Sequence, residues 1–245
     1  MTYCVGLQTD QGLAFMSDTR TNAGLDNIST FRKMHIWEEP GERVIVLMSS
    51  GNLATTQSVV SLLDERSKAV SDRVHTLLET PSMFQTARLV GNTVKEVISS
   101  SATEGQKAES YFNASFILGG QIRGTEPRLF LIYPEGNFIE SSDDTPFFQV
   151  GETKYGKPII VRAYDRQMDF AEVAKLLMVS FDSTVKSNLS VGLPLDMVFY
   201  ERDTFRISAR RRITQDDPYY RTISDGWSNA LRNAFKALPD YPQSP

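Results

Sequence analysis

The chain has 245 residues, 40% of them hydrophobic, which is enough to bury one substantial core. Its 26 Lys and Arg against 30 Asp and Glu leave a net charge of −4, a balance that gives no electrostatic footprint for nucleic acid or an anionic membrane. The single cysteine, Cys4, excludes an internal disulfide and any cysteine-based zinc cluster; no apolar run approaches the ~20 residues that span a bilayer, and no signal peptide is visible, so the expectation is a cytoplasmic chain without a membrane partner.

Tyr3 to Leu7 and Leu13 to Ser17 are β-rich and flank the turn residues Thr9-Asp10-Gln11-Gly12, which predicts a hairpin at the very start. Asp18-Thr19-Arg20 ends the second strand, and a polar loop follows through Asn27. A third strand is expected over Phe31 to Trp37 and a fourth over Arg43 to Ser50, joined by Glu38-Glu39-Pro40-Gly41. Ser49-Ser50-Gly51-Asn52 is then a strand-to-helix corner, with a helix predicted over 53–71 and another from Ser82, where Met83, Ala87, Val90, Val94 and Val97 share one face. Ser99 to Ser110 is polar and reads as a loop.

Strands return at Asn113 to Leu118, Arg128 to Tyr133 and Phe147 to Val150, with Gly119-Gly120 and Pro134-Glu135-Gly136-Asn137 as connections; short links make this an antiparallel meander. Asp169 to Ser187 has helical periodicity. Met197 to Tyr200 and Phe205 to Ile213 read as two more strands, and Trp227, Leu231 and Phe235 mark a last helix before a Pro-rich tail from about 239. Arg210-Arg211-Arg212 lies in the last strand and suits a solvated or subunit-facing patch. No linker or repeat divides the chain, so residues 1–245 read as one α+β domain in which two antiparallel sheets pack together under helices.

The chemistry resides at the beginning. If Met1 is removed, which a small second residue permits, Thr2 becomes a complete nucleophile: its hydroxyl attacks and its own α-amine, with an ordinary pKa of about 7.7–8.0, takes the proton. Cys4 is a rival nucleophile, but exposing it would remove three residues and the strand start. No phosphate-loop glycine pattern is present, so any energy dependence comes from another chain.

Thr2 at the start of a strand, Ser17-Asp18-Thr19-Arg20 closing the hairpin, Lys33, Ser50-Gly51-Asn52-Leu53-Ala54, Ile117-Leu118-Gly119-Gly120 and Leu131-Ile132-Tyr133-Pro134-Glu135-Gly136 together give a chain that resembles the proteasome β-subunit family of N-terminal-nucleophile threonine proteases. Within it, the resemblance is strongest to the bacterial proteasome-like Anbu branch. The resemblance implies a four-layer αββα sandwich and assigns roles residue by residue. Thr2 is the nucleophile, Lys33 lowers the pKa of its hydroxyl, Asp18 holds Lys33 charged and oriented, and Gly51 offers its backbone N–H to the oxyanion. Ser190, in Ser187-Asn188-Leu189-Ser190-Val191-Gly192, is a hydrogen-bond partner for the Thr2 amine.

Two positions depart from the family pattern. Ser187 stands where an aspartate is usual, with Val191 in place of the following glycine, and Glu152 in Val150-Gly151-Glu152-Thr153 stands where many relatives have serine, which points to a weaker or narrower hydrolase. His35 either lines a specificity pocket beside Phe31, Ser49 and Leu53 or is a structural histidine, and with His75 the only other histidine there is no case for a metal; no cofactor is implied. The expected function is a threonine peptidase acting on peptide or unfolded protein inside a homo-oligomer, a closed or open helical ring, with a separate ATP-dependent unfoldase as a conceivable partner. An amidase or esterase for small substrates, and a non-catalytic assembly subunit, are the alternatives.

Overall fold

The computed structural model describes residues 2–22, 28–68, 76–101 and 112–242. Met1, His75, the last residues of the 53–71 helix and most of the expected 99–110 loop lie outside them. Alternation in the first strand, β1 (Tyr3–Thr9), sends Tyr3, Val5 and Leu7 into one core and Cys4 into another, as a period of two requires. Its hairpin partner β2 (Gly12–Asp18) pairs antiparallel with Cys4 opposite Ser17. Three-residue strands β3 (Arg20–Asn22) and β4 (Ile28–Thr30) pair with each other, β3 running into the expected polar loop and β4 following it.

The next pair, β5 (Met34–Glu39) and β6 (Arg43–Gly51), begins a second sheet. Lys33 therefore sits just ahead of β5 rather than within a strand starting at Phe31, and its backbone carbonyl still accepts the Ser49 N–H at 2.9 Å. At the corner, the Asn52 carboxamide accepts the Thr55 N–H at 3.1 Å and caps α1 (Leu53–Lys68). Ser82 does the same for α2 (Met83–Ser101) through the Gln85 N–H.

Strand β7 (Ala114–Ile122) runs straight through Gly119-Gly120, which the sequence reading placed in a turn. The reason is packing: a Cβ on Gly119 would lie 2.6 Å from the Phe15 ring, so the glycine lets an aromatic from the other sheet fill that space. Strands β8 (Arg128–Ile132) and β9 (Phe138–Glu140) complete the meander. The expected third member, β10 (Phe147–Gly151), instead crosses to the first sheet and pairs with β1, Tyr3 opposite Gly151.

A short helix α3 (Lys157–Ala163) precedes α4 (Phe170–Ser187), which opens with a reciprocal capping box between Asp169 and Glu172. Strands β11 (Leu195–Glu201) and β12 (Ala209–Ile213) follow; β12 is shorter than expected because Phe205 takes a positive φ of 48° that breaks the extended run. Asp217 caps the last helix, α5 (Pro218–Lys236). Among the described residues the two large sheets are all antiparallel, ordered β10-β1-β2-β11-β12 and β5-β6-β7-β8-β9.

Three buried clusters tie these elements together. Cys4, Phe15, Val46, Met48, Ile117 and Val198 join the facing sides of the two sheets. Ile45, Leu47, Phe116 and Phe130 pack against Val59, Val90 and Val94 of α1 and α2. Tyr3, Val5, Leu7 and Met16 pack against Val173, Leu177 and Phe181 of α4. Each large side chain so buried contributes about 1.5–3 kcal/mol, so the start of the chain is embedded in two cores at once. No described helix is long and apolar enough to cross a membrane.

Candidate active site

Thr2 precedes β1 directly, and its neighbours hold it from both sides. Its carbonyl accepts the Glu152 N–H at 2.6 Å, and the following amide, Tyr3 N–H, donates to Asp18 Oδ1 at 2.9 Å. The Tyr3 ring stacks on Phe181 with centroids 4.3 Å apart, while its hydroxyl pairs with Ser180 Oγ at 2.7 Å and accepts from Gln149 Nε2 at 2.6 Å. Chain starts usually fray, and this one is anchored by backbone and side chain alike.

Asp18 closes β2 and is fully buried. Its Oδ1 accepts Lys33 Nζ at 2.7 Å, and the same ammonium donates to the Arg20 carbonyl at 2.7 Å. Burial pushes the Asp18 carboxyl above its ordinary range, opposed by the Lys33 charge and by the Tyr3 and Gly192 amides. A lysine ammonium has three protons and these contacts use two, so one remains for an acceptor in the cavity that Lys33 and Thr2 both line.

That cavity, of about 770 Å³, is bounded also by His35, Ser49, Gly51 and Leu53. His35 therefore faces the cavity. Its ring centroid lies 6.3 Å from that of Trp37, and burial lowers its pKa. A second cavity of about 560 Å³, walled by Tyr133, Gln149 and Thr153, meets the first at Ser50, Gly51 and Asn52. Gly51 sits on the saddle with φ +122°, and a Cβ there would collide with the Asn113 carbonyl, so the position demands glycine.

The structure thus brings together four of the five sequence-proposed residues, Thr2, Asp18, Lys33 and Gly51. Ser190 is placed differently: its backbone N–H donates to Asn188 Oδ1 at 2.9 Å, and among the described residues its hydroxyl makes no hydrogen bond to Thr2. Ser187 turns away, donating to the Ser183 carbonyl. The position beside Thr2 is held instead by Glu152, whose carboxylate accepts the Lys154 amide at 2.9 Å and Asn188 Nδ2 at 2.8 Å. Gly151 was missed as a site residue. Its φ is +86°, and a Cβ would strike the Thr2 carbonyl, so only glycine lets this strand end approach Thr2. The one sequence signal was a glycine at the end of an apolar strand.

Cys4 is fully buried and burial drives its thiol well above the usual range, so the rival nucleophile is a neutral core group. No group of three or more His, Cys, Asp or Glu among the described residues is arranged to hold a metal. In the basic strand, Arg211 pairs with Asp217 at 2.7 Å and Arg212 lies 3.7 Å from Asp196.

No protein-family model and no curated protein matches the chain. Solved structures do. Anbu from Hyphomicrobium sp. strain MC1 is 52% identical, with 98% of this chain and 100% of that one covered and a TM-score of 0.91. Anbu (ancestral beta-subunit) from Yersinia bercovieri is 48% identical over 98% of this chain and 100% of its own, also at 0.91. The Anbu chain described as a helical assembly from Pseudomonas aeruginosa is 42% identical over 99% of both chains, at 0.90. Identity of this degree over the whole length, together with the two-sheet architecture, places the chain in the Anbu family of proteasome-like proteins.

Proposed function

We propose that this chain is an N-terminal threonine peptidase, a single αββα domain in four layers that works in a homo-oligomer, with Thr2 as nucleophile once Met1 is removed. The observation that carries this reading is that Thr2, Lys33 and Gly51 line one cavity, with Asp18 holding the Lys33 ammonium from beneath its wall. The freed α-amine takes the Thr2 hydroxyl proton as Oγ attacks the scissile carbonyl. Lys33 stabilises the developing alkoxide, and the Gly51 N–H receives the oxyanion. Collapse of the tetrahedral adduct breaks the C–N bond, the ammonium returns its proton to the leaving amine, and water then hydrolyses the ester to regenerate Thr2.

The paired cavities favour a peptide over a small amide or ester, because a cleft continuing on both sides of Gly51 has room for chain before and after the scissile bond. Leu231, Phe235 and Leu238 lie exposed on and just beyond the last helix, an apolar stripe of the kind subunit contacts cover, and the Pseudomonas aeruginosa relative forms a helical assembly. The test is intact mass of the native protein before and after a peptide electrophile. The expected result is loss of Met1 and one adduct that disappears in Thr2→Ala; a retained Met1, or an adduct that persists in Thr2→Ala, overturns the reading.

A further inference from the structure

The walls of the larger cavity carry a charge pattern that neither the nucleophile nor its support explains. Arg32, Lys33 and His35 line it, and no carboxylate does among the described residues. Lys33 is neutralised by Asp18, but Arg32 has no ion-pair partner among the described residues, so its charge is available. His35 stands beside it as a half-buried imidazole, and Gln57 and Ser61 supply further polar atoms from α1. The carboxylate that acts on His35 is Asp64, one turn farther along the helix, where its Oδ1 already accepts Trp37 Nε1 at 2.8 Å. Leu53 and Val60 provide apolar wall for methylenes.

We propose that this cavity receives an acidic side chain, so that the substrates are peptides with glutamate or aspartate immediately before the scissile bond; this rests on the peptidase reading. A carboxylate entering between Arg32 and His35 meets one fixed charge and one donor that gains a proton as the anion arrives, and its short stem lies against Leu53 and Val60. A lysine side chain would face Arg32 with like charge, and a leucine would make no use of the Arg32 charge or of the His35 ring.

The test measures binding rather than turnover, so that it does not depend on Thr2 being active. Acetylated tripeptide amides ending in Glu, Gln, Leu or Lys, otherwise identical and with no terminal charge, are titrated calorimetrically into the assembled Thr2→Ala protein. The expected order is Glu first, about tenfold tighter than Gln, the ratio one net hydrogen bond to a charged group supplies, with Lys weakest. Arg32→Gln and His35→Gln should each reduce the discrimination between Glu and Gln. Equal affinities, a preference for Leu or Lys, discrimination unchanged in both variants, or no binding of any peptide overturns the inference. The electrophile experiment judges Thr2 separately.

Discussion

Lys33→Met retains the length of the side chain and removes its charge, which makes the Asp18–Lys33 pair a direct probe of how the site is held. The lysine is 5% exposed and Asp18 is not exposed at all. Removing one partner of such a pair leaves an uncompensated buried charge, a loss of about 3–5 kcal/mol. Asp18 keeps the Tyr3 N–H at 2.9 Å, and burial already favours its protonation, so the lower figure of about 3 kcal/mol applies. For a chain of this size about 1 kcal/mol moves the melting temperature by about 2–4 °C, so the expected fall is about 6–12 °C, read by calorimetry at one fixed protein concentration. The sign with pH follows from the same group. A carboxyl whose folded pKa is raised contributes stability at low pH that is lost as pH rises, so the deficit of Lys33→Met should shrink on acidification. Asp18→Asn combined with Lys33→Met removes the orphaned charge and should recover most of the lost stability, while the reaction of Thr2 with a peptide electrophile stays slow in both. A Lys33→Met melting temperature within two degrees of the parent, or a double variant no more stable than the single one, refutes the reasoning.

Gly51→Ala forces a side chain onto φ +122° and into the Asn113 carbonyl, so the corner must shift; with the oxyanion donor displaced, Thr2 acylation should fall by about 10²–10³, measured as the rate of adduct formation. Cys4 should resist a thiol reagent in the native protein and take up one equivalent in denaturant, and equal labelling in both states would contradict its burial. His35 has a folded pKa below its ordinary value of 6.5, so below about pH 6.5 the unfolded chain binds the extra proton and stability falls as pH drops; His35→Gln should flatten that slope in melting temperature against pH.

Periodicity served well where each face of an element meets a single environment. Tyr3, Val5 and Leu7 alternate with Cys4 because the two faces of β1 meet different apolar layers, and α2 presents Met83, Ala87, Val90, Val94 and Val97 because one stripe is buried. It failed where partner choice is not local. Nothing in Phe147-Phe148-Gln149-Val150 states that the strand leaves the meander for β1, since alternation fixes faces and not neighbours. Gly119-Gly120 carries ordinary turn residues, and it is distant neighbours, the Phe15 ring against Gly119 and the Val44 carbonyl against Gly120, that make glycines the right residues for a strand there.

The site divides along the same line. Asp18 and Lys33 could be proposed from the family the chain resembles, because both lie close together in the chain, at the end of the hairpin and just ahead of β5. The support around Thr2 could not, because it is assembled across the fold: Glu152 arrives from the end of β10, and Asn188 from the end of α4. The departures at Ser187 and Glu152 are linked in space rather than being two separate losses. Ser187 bonds back onto its own helix, while the next residue, Asn188, donates to the Glu152 carboxylate and accepts the Ser190 amide. The acidic side chain beside Thr2 thus stands at the strand end, and the Asn188 amide clamps it there. The backbone of that same Glu152 fixes the Thr2 carbonyl, so the residue that breaks the family pattern is also one that positions the chain start.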